Sequence, residues 1–389
     1  MTAWHRRGSP GADLALAVMQ LEAQPVELVA DALSAVQDPA EAIERLSFHG
    51  AWGHAHRKGS AQGLQFPSWL ADEGAGRRAW ALENHLRALH DMAELRTVLD
   101  AAGVPWLTFK GPTLSVLYGQ PDLRGYTDLD VLVSPVDLPA AVTALLDGGW
   151  PFIDWQSSLD RRPPMGELHL TGPAGTPVDL HWHLFYRASH PSRGRLDPAA
   201  LVAARRYTRI GGGLVPTLPL GEHVAYVCAH AAAGGGNRLR WLLDVGHLAA
   251  RATEHEWRDV VNSSRAWGVP ASVSLVLSRA SRHIGADVPA WVMATLAGRA
   301  PRSLFAVVEM IDPLPRSREH RSATSVLACA TDRQATAIAR AVLLHRRRRW
   351  GLDLRPRREV TSMPGGLRSL NRFVEAVAVE ADGRRRNAV

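Results

Sequence analysis

The chain has 389 residues, 46% of them hydrophobic and 21% charged, with a formal net charge of +7. That length suits one large domain or two to three modest ones, and the apolar content excludes wholesale disorder. Two cysteines, Cys228 and Cys329, without CxxC spacing, argue against a disulfide framework or a cysteine-rich zinc module and fit a reducing compartment.

At the N-terminus Arg6-Arg7 precede the apolar stretch Leu14–Leu21, a pattern that invites an export reading. Asp13 and Glu22 bracket the stretch and no small-residue cleavage site follows closely, so a cytoplasmic location is expected. No run reaches the roughly 18 uninterrupted apolar residues of a membrane span. Short helices are expected near Val26–Val36 and Ala40–Leu46. Within Arg78–Ala102, Leu82, Leu86, Leu89, Met92, Leu95 and Leu99 recur at three- and four-residue steps, which predicts a helix with one apolar face. Gly103 should stop it, because Pro105 cannot continue it.

The pattern then changes. Val104–Phe109 (VPWLTF) reads as a short buried strand, followed by Lys110-Gly111 and a helix Thr113–Tyr118 with Pro112 in its first turn. Gly119–Tyr126 is loop-like and Asp128–Val133 reads as a second strand. Ser134 and Asp137 suggest an N-terminal cap for a helix over Val136–Leu146. Two more strands are expected at Glu167–Leu170 and Val178–Phe185, joined by the turn TGPAGTP. Helical periodicity returns at Glu222–Ala233, Arg238–Arg251, Trp257–Trp267, Ala271–His283 and Ala323–Arg346. The expected organisation is a helical region over 1–103, a mixed α/β core over 104–220 and a helical region with a basic tail over 221–389.

Arginines cluster late, at His345–Trp350, Arg355–Arg358 and Arg384–Arg386. A basic field of this kind steers nucleic acid, anionic lipid or nucleotide phosphates. Solvated helix ends in an arginine-rich composition are the simpler explanation.

The chemistry concentrates between Lys110 and His183. Alternation along a strand puts Asp128 and Asp130 on one face and Leu129, Val131 and Val133 on the other. Two carboxylates so placed can share a small divalent cation, and Asp179 on a later strand is the obvious third ligand. A strand that ends in Lys110-Gly111 and turns into a helix offers free backbone N–H groups to an anion. Together these features suit metal-assisted phosphoryl or nucleotidyl transfer. His181 and His183 share the strand face of Asp179, and His169 lies across the hairpin; Asp179, His181 and His183 are either a mixed nitrogen–oxygen metal site or a hydrogen-bonded structural feature. Arg124 either contacts phosphate or pairs with Asp122 or Asp128. Arg240 and Asp244, four residues apart, either pair on one helix or belong, with His230, to a cleft. Trp106, Trp155 and Trp182 read as packing residues, with base stacking as the alternative.

The segment FKGPTLSVLYGQPDLRGYTDLDVLV followed by VDLHWHL, and later RLRWLLDV, resembles a family of uncharacterised bacterial nucleotidyltransferases in the DNA polymerase beta-like superfamily. The resemblance spans about residues 80–250 and rests on Lys110, Gly111, Tyr118, Arg124, Asp128, Asp130, Asp179, His181 and Trp182. It implies an α+β fold: a small mixed β-sheet core flanked by N-terminal and C-terminal helical regions. It further implies transfer of NMP from an NTP, ATP being the expected one, to an acceptor hydroxyl with release of pyrophosphate. Asp128 and Asp130 would hold Mg²⁺ or Mn²⁺, and Asp179 would bind metal or deprotonate the acceptor. Lys110, Gly111, Thr113, Arg124 and Arg240 would bind the nucleotide. The acceptor is a small molecule, a peptide, a protein or an RNA end. One position departs from the pattern: Pro112 stands where the superfamily has Ser or Gly, leaving Lys110 or Thr113 to contact phosphate. That departure motivates the alternative of a non-catalytic accessory protein that binds nucleotide or a partner through the same cleft.

Overall fold

The computed structural model describes residues 9–22, 24–61, 63, 66–153, 166–185, 190, 192, 194–297, 314 and 367–386. Arg6-Arg7, Trp155, the helix expected at Ala323–Arg346, Cys329 and the arginine runs at His345–Trp350 and Arg355–Arg358 lie outside them. Two compact units emerge. One draws on Met1–Leu82, Leu117–Arg124 and Leu220–Asp353, the other on Glu83–Val116, Gly125–Pro219 and Leu354–Val389.

The first unit is helical. Pro10–Val18, Val26–Ser34, Pro39–His49 and Trp52–Ala61 come from its first stretch, and Leu220–Ala233, Leu239–Ala249, Glu254–Ala266, Pro270–Ile284 and Ala290–Ala297 from its last. Local chemistry sets their ends. Asp38 caps Pro39–His49 by accepting the Ala40 N–H, and Thr253 with Glu256 forms a reciprocal capping box. His49 is fully buried and accepts the Leu239 N–H at 3.3 Å, which ties two helices together through an uncharged imidazole.

The second unit contains the sheet. Strands β1 Trp106–Thr108, β2 Leu129–Val133, β3 Phe152–Ile153, β4 Glu167–Thr171, β5 Pro177–His181, β6 Arg206–Ile210 and β7 Gly213–Thr217 form one mixed sheet in the order β3-β4-β5-β2-β1-β7-β6. β2 runs antiparallel to β1 and parallel to β5, so the strand that carries Asp130 is central. Every β2 residue is buried, as expected for a strand covered on both faces. Leu129, Val131 and Val133 join Val178, Leu180, Leu168 and Leu170 in an apolar core. Ala88, Met92, Leu95 and Leu99 close that core from one helix and Leu138, Ala141, Val142 and Leu145 from another. The α+β class with helical flanks is therefore observed.

Several details differ from the sequence expectations. β2 starts at Leu129, leaving Asp128 just before the strand and half-buried. Leu82 and Leu86 are exposed, so they take no part in the core beneath the sheet, to which this helix contributes Ala88, Met92, Leu95 and Leu99. Asp137 occupies the N-cap position of Leu138–Asp147 in helical backbone geometry, where its side chain makes no cap bond. The hairpin β6–β7 was not anticipated, because its charged strand and glycine turn give little apolar alternation; β6 is a sheet edge and most of its residues are exposed.

The β4–β5 hairpin is anchored by one buried carboxylate. Asp91 accepts the Ala174 N–H at 2.7 Å and the Thr176 N–H at 2.9 Å. A side chain at Gly172 would collide with that carboxylate, its Cβ falling 2.4 Å from it. Asp91→Ala should lower stability by about 3 kcal/mol, the scale of hydrogen bonds to a charged group. Urea unfolding checks this, and a loss below about 1 kcal/mol would show that the turn holds without Asp91.

In the first unit, burial together with Arg45 and Arg238 holds the His49 imidazole down to about 3. Its folded value lies below the unfolded value near 6.5, so its contribution is present above that pH and is lost as pH falls towards the folded value. Between pH 7 and pH 4 the loss should reach roughly 3 kcal/mol, and His49→Gln should flatten the dependence. Equal slopes for the two proteins in urea unfolding would contradict the assignment.

Candidate functional site

Strand register assembles the site. On the sheet face opposite the apolar core, Asp130 of β2 pairs in register with Asp179 of β5, and Leu132 pairs with His181. Across the hairpin His169 opposes Asp179 and Glu167 opposes His181. Registered neighbours on one face lie within side-chain reach, so three strands bring three carboxylates and two imidazoles together. One ligand atom from each of Asp130, Asp179 and His181 lies within 4.8 Å of the others. Asp128, before the strand, is not part of that group.

Asp130 is the electrostatic centre. It is fully buried, and its Oδ1 lies 2.5 Å from the Lys110 ammonium and 3.2 Å from His181 Nε2. Burial alone would raise its carboxyl, but Lys110 and the His181 ring outweigh burial and hold it below the usual carboxylate range. His181 responds in the opposite sense: burial would lower it, whereas Asp130, Glu167 and Asp179 together raise it. Glu167 is raised, first by burial and then by Asp179. Among the described residues the second oxygen of Asp130 has no hydrogen-bond partner. A buried carboxylate oxygen without a donor costs of order 1–3 kcal/mol, so this atom fits a cation's ligand.

The outer groups are held as well. His169 Nδ1 lies 2.7 Å from Asp179 Oδ1, and the edge of the His181 ring meets Phe109 at 5.2 Å between centroids. His183 is occupied elsewhere, with its Nδ1 accepting the Phe185 N–H, and it does not join Asp179 and His181. Glu167 was absent from the sequence prediction of the site. The alternation of Glu167 and His169 in ELHL was the available signal, since it places both on the face of Asp179 once the hairpin register is known.

Lys110-Gly111 forms the turn after β1. Gly111 has φ +53°, and an added Cβ would fall 2.8 Å from the Asp128 carbonyl oxygen. Glycine is required there by both conformation and space. Thr113, buried in the following short helix, donates its hydroxyl to the Lys110 carbonyl at 2.7 Å. The turn is thus braced from inside, and its lysine is committed to Asp130.

Arg124 and Arg240 belong to the helical unit. Arg124 makes a two-pronged pair with Asp244, Nε to Oδ1 at 2.8 Å and Nη2 to Oδ2 at 3.0 Å. Tyr118 donates its hydroxyl to the same carboxylate at 2.8 Å. Asp122, an expected partner of Arg124, instead pairs with Arg78 at 2.6 Å. Burial, aided by Arg124, pulls the Arg240 guanidinium down to about 10. His230 packs its ring against Tyr226 and Trp241. Arg279, fully buried, donates to the carbonyls of Gly235 and Gly236 and fixes the glycine turn after Leu220–Ala233.

Gly111→Ala should destabilise the protein by roughly 1–3 kcal/mol, because it forces a strained backbone and a clash. Thermal unfolding and urea titration measure it; an unchanged midpoint would mean that the turn relaxes at no cost.

Among curated proteins no significant match was found. A crystal structure of an antigenic nucleotidyltransferase-like protein from Paracoccidioides brasiliensis aligns with 54% of this chain and 96% of that chain at 14% identity, with a TM-score of 0.32. Residues 36–285 match the family described as uncharacterised nucleotidyltransferase, and with well over half of its length in that match the chain belongs to this family.

Proposed function

We propose that the protein is a metal-dependent nucleotidyltransferase that moves NMP from an NTP, ATP in the first instance, to an acceptor hydroxyl with release of pyrophosphate. The observation that carries this reading is the convergence of Asp130 and Asp179 on adjacent parallel strands, one of them with a buried oxygen that has no donor among the described residues. Family membership supports the reaction class. Asp130 and Asp179, with Asp128 at the entrance to β2, are the proposed holders of Mg²⁺ or Mn²⁺. Such an ion, when bound, would stabilise charge on the α-phosphate.

The remaining roles fall to the chain's own residues. Lys110 neutralises Asp130 before substrate arrives and is the proposed contact for the terminal phosphates, with Gly111 and Thr113 shaping the turn that presents it. Asp179, 2.7 Å from His169 Nδ1, is proposed to bind the metal or, in place of that, to accept the proton of the acceptor hydroxyl. Arg124, paired in this structure with the Asp244 carboxylate, and Arg240 are proposed nucleotide contacts. We assign the reaction to the cytoplasm and divide the chain functionally at about residues 103 and 220. No helix among the described residues is long and apolar enough to cross a membrane.

Pyrophosphate release and intact-mass detection of a nucleotide adduct, over a panel of NTPs and of small-molecule, peptide, protein and RNA acceptors, test the reading. Asp179→Asn should lower the rate by roughly 100-fold or more while leaving the unfolding midpoint near wild type, and Asp128→Ala with Asp130→Ala should abolish transfer. Full activity in the double variant would refute the site. Calorimetric binding of ATP with Mg²⁺ but no adduct on any acceptor would favour the accessory-protein reading, which Pro112 already favours by removing one backbone N–H from the turn.

A further inference from the structure

We propose that His181 is itself a metal ligand, so that Asp130, Asp179 and His181 form a mixed oxygen–nitrogen site that takes a transition-metal dication in preference to Mg²⁺. This rests on the reading that the sheet face binds a divalent cation, and it names the kind of cation.

The three side chains converge because strand pairing places them there. β2 and β5 are parallel and in register, and β2 has core packing on its other face, so the geometry is carried by the sheet and not by a loop. The two inner ligands are almost completely removed from water, with Asp130 at 0% and His181 at 3% relative exposure. Among the described residues Oδ2 of Asp130 has no hydrogen-bond partner, and His181 turns Nε2 towards the same carboxylate, 3.2 Å from its Oδ1. Lys110 sits on Oδ1 of Asp130, so the cation's place at Oδ2 does not require the lysine to leave.

Charge points the same way. Three carboxylates, those of Asp130, Asp179 and Glu167, gather here against one ammonium, that of Lys110, an acidic excess that a dication offsets. The supporting shell is also of the kind that metal-binding histidines use, since a ligating imidazole usually faces a carboxylate with its other side. His181 Nδ1 lies 3.3 Å from Glu167 Oε2, within ion-pair distance although out of line for a hydrogen bond, and Nε2 faces Asp130. His169 in turn orients Asp179.

The chemistry of this donor set selects the metal. Mg²⁺ prefers oxygen ligands and usually retains several waters, whereas a site with an imidazole donor suits Mn²⁺, Co²⁺ or Zn²⁺. His181 thus separates this site from one built of carboxylates alone.

The full-length protein, freed of metal by chelation, is titrated with Mn²⁺ and followed by electron paramagnetic resonance, with pulsed measurements for nitrogen coupling and with Mg²⁺ as competitor. The expected result is one bound Mn²⁺ with ¹⁴N coupling and an affinity roughly tenfold or more above that for Mg²⁺. His181→Gln should remove the coupling, and His255→Gln, at an exposed position of the helical unit, should keep it. The wild-type spectrum alone decides if His181→Gln fails to fold. Bound Mn²⁺ without ¹⁴N coupling, equal affinity for Mg²⁺, no Mn²⁺ binding, or coupling that survives His181→Gln would each overturn the proposal. Nucleotide transfer with Mg²⁺ and no nitrogen coupling would remove His181 as a ligand but leave the reaction standing. Nitrogen-coupled Mn²⁺ without transfer to any acceptor would do the reverse.

Discussion

A carboxylate at the centre of a sheet, removed from water, must be neutralised where it stands. Asp130 is that carboxylate, and the surrounding arrangement follows from the need. An isolated buried charge costs several kcal/mol even after relaxation, and deleting the partner of a buried pair typically costs about 3–5 kcal/mol. Lys110 supplies one countercharge at 2.5 Å and the His181 imidazole a second contact at 3.2 Å. Both bear on a single oxygen. The other is left without a donor among the described residues, an asymmetry that a simple salt bridge does not require.

The fold delivers these groups by simple means. Alternation along β2 sends Leu129, Val131 and Val133 into the apolar core and Asp130 to the other face. The parallel pairing with β5 then sets Asp179 beside it. Asp91, through two backbone N–H groups of the β4–β5 turn, holds the hairpin that brings Glu167 and His169 to the same face. Gly111 lets the chain turn beneath the Asp128 carbonyl and deliver Lys110. In the helical unit Arg124, Tyr118 and Asp244 form a buried hydrogen-bonded cluster.

Much of this was legible in the sequence, and the limits are instructive. Strand parity alone placed Asp130 and the later strand of Asp179 on polar faces, and helical periodicity located Met92, Leu95 and Leu99 in a core. Local signals could not decide which cation meets which anion. Lys110 reads as an anion-binding group from its turn, yet it is committed to Asp130 because β1 and β2 are antiparallel neighbours. Arg124 lies 120 positions from Asp244, and nothing near either residue announces the pair. The β6–β7 hairpin stayed hidden because an exposed edge strand needs no apolar alternation. Glu167 was overlooked for a related reason: a single acid in a short strand acquires meaning only once its cross-strand neighbour is His181.

Crystals of the protein soaked in Mn²⁺ and recorded on both sides of the manganese absorption edge give the most direct view of the central claim. The account predicts an anomalous peak bounded by Asp130, Asp179 and His181, with Lys110 still beside Asp130. A native structure in which that space holds no anomalous scatterer, and in which both oxygens of Asp130 are satisfied by protein donors, would contradict it.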